Sequence, residues 1–158
     1  MPFIYYIVGC MKYQPVKSLS HAVYMLRLHI VLVTKYRRKV LTPKILSYAE
    51  KVFSGILESW RCSLIEFGRK EDHVQLLIDI HPALNISTLI NNLKSASSRR
   101  IRNAFPDHTK RFYWKPVFWH RAYFAGTVGK VTLETVRRYV EQQGTKEKPR
   151  KQLPNLSA

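Results

Sequence analysis

From His73 to Ile80 the chain alternates: Val74, Leu76, Ile78 and Ile80 are apolar, whereas His73, Gln75 and Asp79, with Leu77 among them, fall on the odd positions. Successive side chains of a β-strand leave opposite faces, so this pattern predicts a strand with one face for a core and one for polar work. Residues 22–33 read the same way. Tyr24, Leu26, Leu28, Ile30 and Leu32 hold the even positions, and Arg27 and His29 stand among the odd ones. A chain with two such strands must cover one side of a sheet and can leave the other for chemistry.

The rest of the pattern supplies the cover. Thr42-Pro43 is a cap followed by proline in the first turn, and Ile45, Leu46, Ala49, Val52, Phe53, Ile56, Leu57 and Trp60 follow at helical spacing, predicting a helix over 43–60. A short strand is expected over 62–68. Beyond Pro82, Asn85 or Ser87 can cap a second helix whose apolar side runs Leu89, Ile90, Leu93, Ala96, Ile101, Ala104 and whose other side bears Lys94, Arg99, Arg100 and Arg102. Residues 106–116 read as a basic, aromatic loop, 117–125 as a fourth strand, 126–129 as a flexible joint and 132–143 as a last helix. Strand, helix, strand, strand, helix, strand is the order of an α+β, ferredoxin-like (RRM-like) fold, an antiparallel sheet with helices on one face, here with an extra C-terminal helix. Residues 1–19 read as an N-terminal extension, 20–143 as one domain and 144–158 as a flexible basic tail.

Charge narrows the partner. The 27 Lys and Arg against 10 Asp and Glu leave a formal +17 on 158 residues, which points to a polyanion. The basic residues alternate with aromatics and do not line one face of an amphipathic helix, which favours nucleic acid over a membrane surface. Cys10 and Cys62 stand alone, as expected of a reducing cytoplasm, and no apolar stretch reads as a membrane span or signal peptide.

His73 and Gln75 leave the same face of their strand and can share one ion. Tyr139 and Gln143, four apart, share one face of the last helix. Taken singly, each of these is also what a solvated strand end or an ordinary helix surface shows. Lys35, Arg37, Arg38 and Lys39, with Lys94, Arg99, Arg100 and Arg102, are candidates for phosphate contacts; Tyr36, Tyr113, Trp114 and Trp119 are candidates for stacking on unpaired bases, although Trp119 also suits a core.

The segments HIVLVTKYRRKVLTP (His29–Pro43), DHVQLLIDI (Asp72–Ile80), LINNLKSASSRRIR (Leu89–Arg102), YFAGTVGK (Tyr123–Lys130) and ETVRRYVEQQ (Glu134–Gln143) stand in an order and spacing that resemble one family over nearly all of residues 20–143. It is that of the single-tyrosine HUH-type transposases (TnpA) of the IS-two-hundred/IS-six-hundred-five insertion sequences. The resemblance implies that the C-terminal helix carries the catalytic tyrosine, Tyr139, which attacks a phosphate of single-stranded DNA to form a 5′-phosphotyrosine. It implies Mg²⁺ or Mn²⁺ held by His73, Gln143 and the residue at position 75. It further implies DNA hairpins at insertion-sequence ends as substrate, a homodimer in which the tyrosine helix of one subunit completes the site of the other, and a hinge at Gly126 and Gly129.

One position departs from the pattern. The family places a second histidine where this chain has Gln75, whose amide oxygen is a neutral, weaker donor for a hard cation. An active variant, a decayed element and an engineered substitution all remain open, with Glu71 and Asp72 as neighbours able to support an ion. A domesticated or inactive relative, or a non-catalytic protein that binds single-stranded or hairpin nucleic acid, is the alternative function.

Overall fold

The computed structural model describes residues 17–19, 22–24, 26–127, 138 and 140–142. Two short strands, β1 (Lys17–Leu19) and β2 (Ala22–Tyr24), form an antiparallel hairpin of their own. The strand expected over 22–33 is therefore two strands: β3 (Leu26–Val33) joins a second sheet, and the hairpin spans the boundary expected at residue 20. Side-chain alternation cannot reveal such a break, because it carries no record of which neighbour each segment pairs with.

After β3 come a 3₁₀ turn (Lys35–Arg37), α1 (Pro43–Ser59), β4 (Ser63–Arg69), β5 (His73–Ile80), α2 (Ile86–Ala104), a short α3 (Pro106–Lys110) and β6 (Phe124–Thr127). Thr42 caps α1 by accepting a hydrogen bond from the Ile45 amide, 3.3 Å, and Asn85 caps α2 by accepting one from Thr88, 3.2 Å. The larger sheet has four antiparallel strands in the order β4-β5-β3-β6, which puts the two alternating strands in the middle. Strands and helices follow one another in the expected order, with both long helices on one side of the sheet.

That side is the core. Leu28, Ile30 and Leu32 of β3 and Val74, Leu76 and Ile78 of β5 pack with Ile45, Phe53 and Leu57 of α1 and Leu89, Ile90 and Leu93 of α2, all nearly inaccessible to water. On the other side of β3, Val31 and Val33 form a small separate cluster with Val140 and the partly buried Phe124.

The fourth strand lies later than the alternation predicts. Phe118 and Trp119, adjacent in sequence, are both buried in the helix-side core, so the segment does not alternate there. Trp119 makes one isolated bridge to Thr34, and its indole N–H donates to the Ser97 hydroxyl, 2.8 Å, which satisfies both buried groups. Pairing with β3 begins only at Phe124, and Gly126 is a strand residue opposite His29 rather than a joint. Gly129 lies outside the described residues.

Candidate functional site

His73 and Gln75 stand on the face of β5 that points away from α1 and α2, as their spacing predicts. Across the ladder His73 pairs with Val33 and Gln75 with Val31, the two residues against which Val140 is buried. Val140, one of the helical residues described at 138 and 140–142, is thus buried over the strand next to His73 and Gln75, within the same chain. Tyr139 and Gln143 themselves lie outside the described residues.

The His73 imidazole is held in one orientation. Its Nδ1–H donates to Asp72 Oδ1 at 2.7 Å, since a carboxylate can only accept, and this turns Nε2 toward Gln75. Asp72 accepts a second bond on Oδ2 from Arg37 Nε at 2.9 Å. The His73 hydrogen bond, helped by Arg37 and opposed by burial, holds the Asp72 carboxyl down at about 2. Asp72 therefore acts on the imidazole, which it holds in one orientation.

His73 Nε2 faces Gln75 Nε2 at 3.4 Å, while Gln75 Oε1 is buried with no hydrogen-bond partner among the described residues. A half-turn of the amide exchanges the two atoms and sets a carbonyl oxygen beside the imidazole nitrogen. One N donor and one O donor on neighbouring positions suit a divalent cation. Among the described residues no three His, Cys, Asp or Glu side chains converge on one point. His29, buried on the same face, has its pKa lowered by desolvation, which keeps the ring neutral; the Gln75 side chain beside it works more weakly the other way.

The turn that follows β3 is strained and heavily tied. Tyr36 and Arg37 both have positive φ, 58° and 52°, a conformation that costs a non-glycine residue roughly 1 kcal/mol or more. Thr34 N–H donates to the Asp72 carbonyl at 3.0 Å, and its hydroxyl lies 2.6 Å from the Arg38 carbonyl and 3.0 Å from that of Asp72. Tyr113 closes the turn from the other side, its hydroxyl donating to the Lys35 carbonyl at 2.7 Å. Burial raises this phenol to about 12.

The basic candidates divide into groups. Arg37 is half-buried and engaged with Asp72, so it positions the site more than it offers a free charge. Arg38 and Lys39 are exposed beside it, Lys39 3.7 Å from the exposed Glu71 carboxylate. Lys94 is half-buried, donates to the Arg121 carbonyl at 2.5 Å and lies over the Tyr123 ring; burial, then Arg121 and Lys35, lower its pKa. Lys35, Lys94 and Arg121 thus form one positive cluster. Sequence reading missed Arg121, an isolated arginine in what read as a strand.

Arg99 and Arg100 are exposed on α2, on the helix side of the sheet and away from His73. Arg102 lines a separate concave surface with Lys110, Trp114 and Lys115. Tyr113 and Trp119 are buried, which makes them structural, while Tyr36 and Trp114 are exposed.

The chain's sequence is matched by a family model over most of its length. The model described as "Transposase IS200 like" fits residues 22–143. The chain belongs to that transposase family. It is 30% identical over 137 residues to the transposase for insertion sequence element IS200 of Salmonella typhimurium, covering 87% of this chain and 89% of the relative. To the ISDra2 transposase TnpA of Deinococcus radiodurans it is 30% identical over 125 residues, covering 79% and 89% of the two chains. The crystal structure of a transposase from D. radiodurans superposes with a TM-score of 0.75 at 31% identity, over 80% of this chain and 97% of that one. The four-stranded antiparallel sheet with its helices is thus shared by this IS200-like chain and a solved relative. No described helix is long and apolar enough to cross a membrane.

Proposed function

We propose that this IS200-like transposase cleaves and rejoins single-stranded DNA through Tyr139, at hairpins formed by the ends of its own insertion sequence. The tyrosine oxygen forms a bond to phosphorus as the P–O3′ bond breaks, the phenolic proton is lost, and a free 3′-hydroxyl remains beside a 5′-phosphotyrosine. Attack by a 3′-hydroxyl on that phosphotyrosine reverses the chemistry and releases the tyrosine. The observation that carries this reading is Val140, the residue after Tyr139, buried on Val31 and Val33, which pair with Gln75 and His73.

His73, Gln75 and Gln143 are the residues that would hold Mg²⁺ or Mn²⁺. Such an ion, when bound, neutralises and orients the phosphate that a phenol of ordinary pKa near 10 must attack. The protein's own part is to fix His73 through Asp72 and Arg37, and to present Gln75 Oε1 by turning its amide. Lys35, Arg38, Lys39, Lys94 and Arg121 supply phosphate contacts at the same end of the sheet.

The resemblance to the single-tyrosine transposases implies a homodimer in which the Tyr139 helix of one subunit serves the His73 strand of the other. Burial of Val140 on its own chain's sheet favours a second arrangement, in which each site is built within one chain. Incubating labelled element ends with Mn²⁺ and wild type should give a covalent adduct on denaturing gels, and Tyr139→Phe should give none while still binding the hairpin. An undiminished adduct from Tyr139→Phe contradicts the assignment. Mixing Tyr139→Phe with His73→Ala separates the two arrangements, because only sites shared between subunits recover activity on subunit exchange.

A further inference from the structure

Trp114 is the most exposed large hydrophobic side chain among the described residues, 87% accessible, in a domain whose other two tryptophans are half-buried or buried. An exposed indole offers a flat face on which a base can stack. It stands at the rim of an open pocket of about 480 Å³, the scale of a small-ligand site. Arg102 and Lys110 reach the pocket from α2 and α3, and Lys115 lies 4.8 Å from the Trp114 ring centre. No carboxylate lines it. A flat aromatic surface ringed by cations fits an anionic ligand that carries a π-face.

The pocket is tied to the chemistry face. Its Tyr113 donates to the Lys35 carbonyl, Lys35 N–H donates to Phe118 at 2.8 Å, and Thr34 and Arg37 of the same turn bond Asp72, which orients His73.

We infer that this pocket is a subsite for one unpaired nucleotide of single-stranded DNA, its base stacked on Trp114 and its phosphates paired with Arg102, Lys110 and Lys115. The subsite rests on the proposed action on single-stranded DNA and adds a grip beyond the reacting phosphate. Stacking on an indole accepts any base, so the contact holds an unpaired strand without reading its sequence.

The test compares the full chain and Trp114→Ala for binding to short oligothymidylate and to an abasic oligonucleotide of equal length, with oligouridylate as a third probe. Wild type should prefer the thymidylate, and Trp114→Ala should lose about 5- to 100-fold on it while binding the abasic strand as wild type does. Trp114→Phe should keep most of the preference, and the melting temperatures should match because the side chain is exposed. Equal affinity of wild type and Trp114→Ala for oligothymidylate would overturn the subsite and leave the transposase reading standing. Failure of wild type to bind any single strand overturns both. Tighter Trp114-dependent binding of oligouridylate than of oligothymidylate overturns the assignment to DNA.

Discussion

The two faces of β5 carry opposite tasks on one eight-residue strand. Val74, Leu76, Ile78 and Ile80 close the core against α1 and α2, while His73, Gln75, Leu77 and Asp79 look the other way. Both faces are largely buried, so burial alone does not separate them. What separates them is the nature of the contact. One face is satisfied by hydrocarbon. The other retains a polar oxygen, Gln75 Oε1, with no hydrogen-bond partner among the described residues, and an imidazole fixed from behind by a carboxylate. The first arrangement stabilises the fold; the second leaves donors in place for a ligand.

Substitutions on the two faces should therefore fail differently. Leu76→Ala, fully buried in the core, should lose about 2–5 kcal/mol of unfolding free energy in a denaturant titration. A loss below about 1 kcal/mol would break the assignment of that face to the core.

Tyr113 joins the core to the strained turn and gives a pH signature. Its phenol is raised to about 12 from the ordinary 10, so the folded state holds the proton more tightly than the unfolded state. The stability this contributes is complete below pH 10 and is lost as pH rises through 12, by about 2–3 kcal/mol. Tyr113→Phe should be about 1 kcal/mol less stable at neutral pH, from the lost bond to the Lys35 carbonyl, and should lack that alkaline loss. Parallel stability curves for the two proteins between pH 9 and 12 would contradict the burial of this hydroxyl.

On the chemistry face the expected effects are on ion use. Asp72→Asn keeps an acceptor for His73 but removes the charge, and it should raise the Mn²⁺ concentration for half-maximal cleavage about 10- to 100-fold. Direct Mn²⁺ binding, followed by electron paramagnetic resonance, should weaken in parallel. Unchanged Mn²⁺ binding would mean that Asp72 serves only the turn.

Gln75→His is the smallest and the one gain. It replaces a neutral amide with an imidazole at the same strand position, and should lower the ion requirement severalfold, more for Mn²⁺ than for Mg²⁺. Wild type cleaving as well as this variant at limiting Mn²⁺ would show that the flipped amide is already a full ligand.

Much of this comparison was legible in the sequence, because period two on β5 and period 3.6 on α1 and α2 each record one apolar face turned to the core. The Thr42-Pro43 entry to α1 was equally plain, since a cap is a local chemical event. Pairing was not legible: residues 22–33 alternate throughout, yet the chain changes partner between Tyr24 and Leu26. β6 was misplaced because Phe118 and Trp119 are apolar neighbours that both turn into the core, which a strand cannot do. At the candidate site, spacing alone put His73 and Gln75 on one face of the strand. The bond from His73 to Asp72 is contact information that adjacency hints at but does not define, and Arg37 read as a DNA contact because its partner lies 35 residues away.

The central claim is that the face bearing His73 and Gln75, with the helix lying over it, performs covalent chemistry through Tyr139. The most direct measurement is peptide mapping by mass spectrometry after reaction of wild type with single-stranded element ends and Mn²⁺. A 5′-phosphonucleotide is expected on the peptide containing Tyr139 and on none of the other eight of the chain's nine tyrosines. A nucleotide on a different tyrosine, or cleaved DNA with unmodified protein throughout the time course, would contradict it.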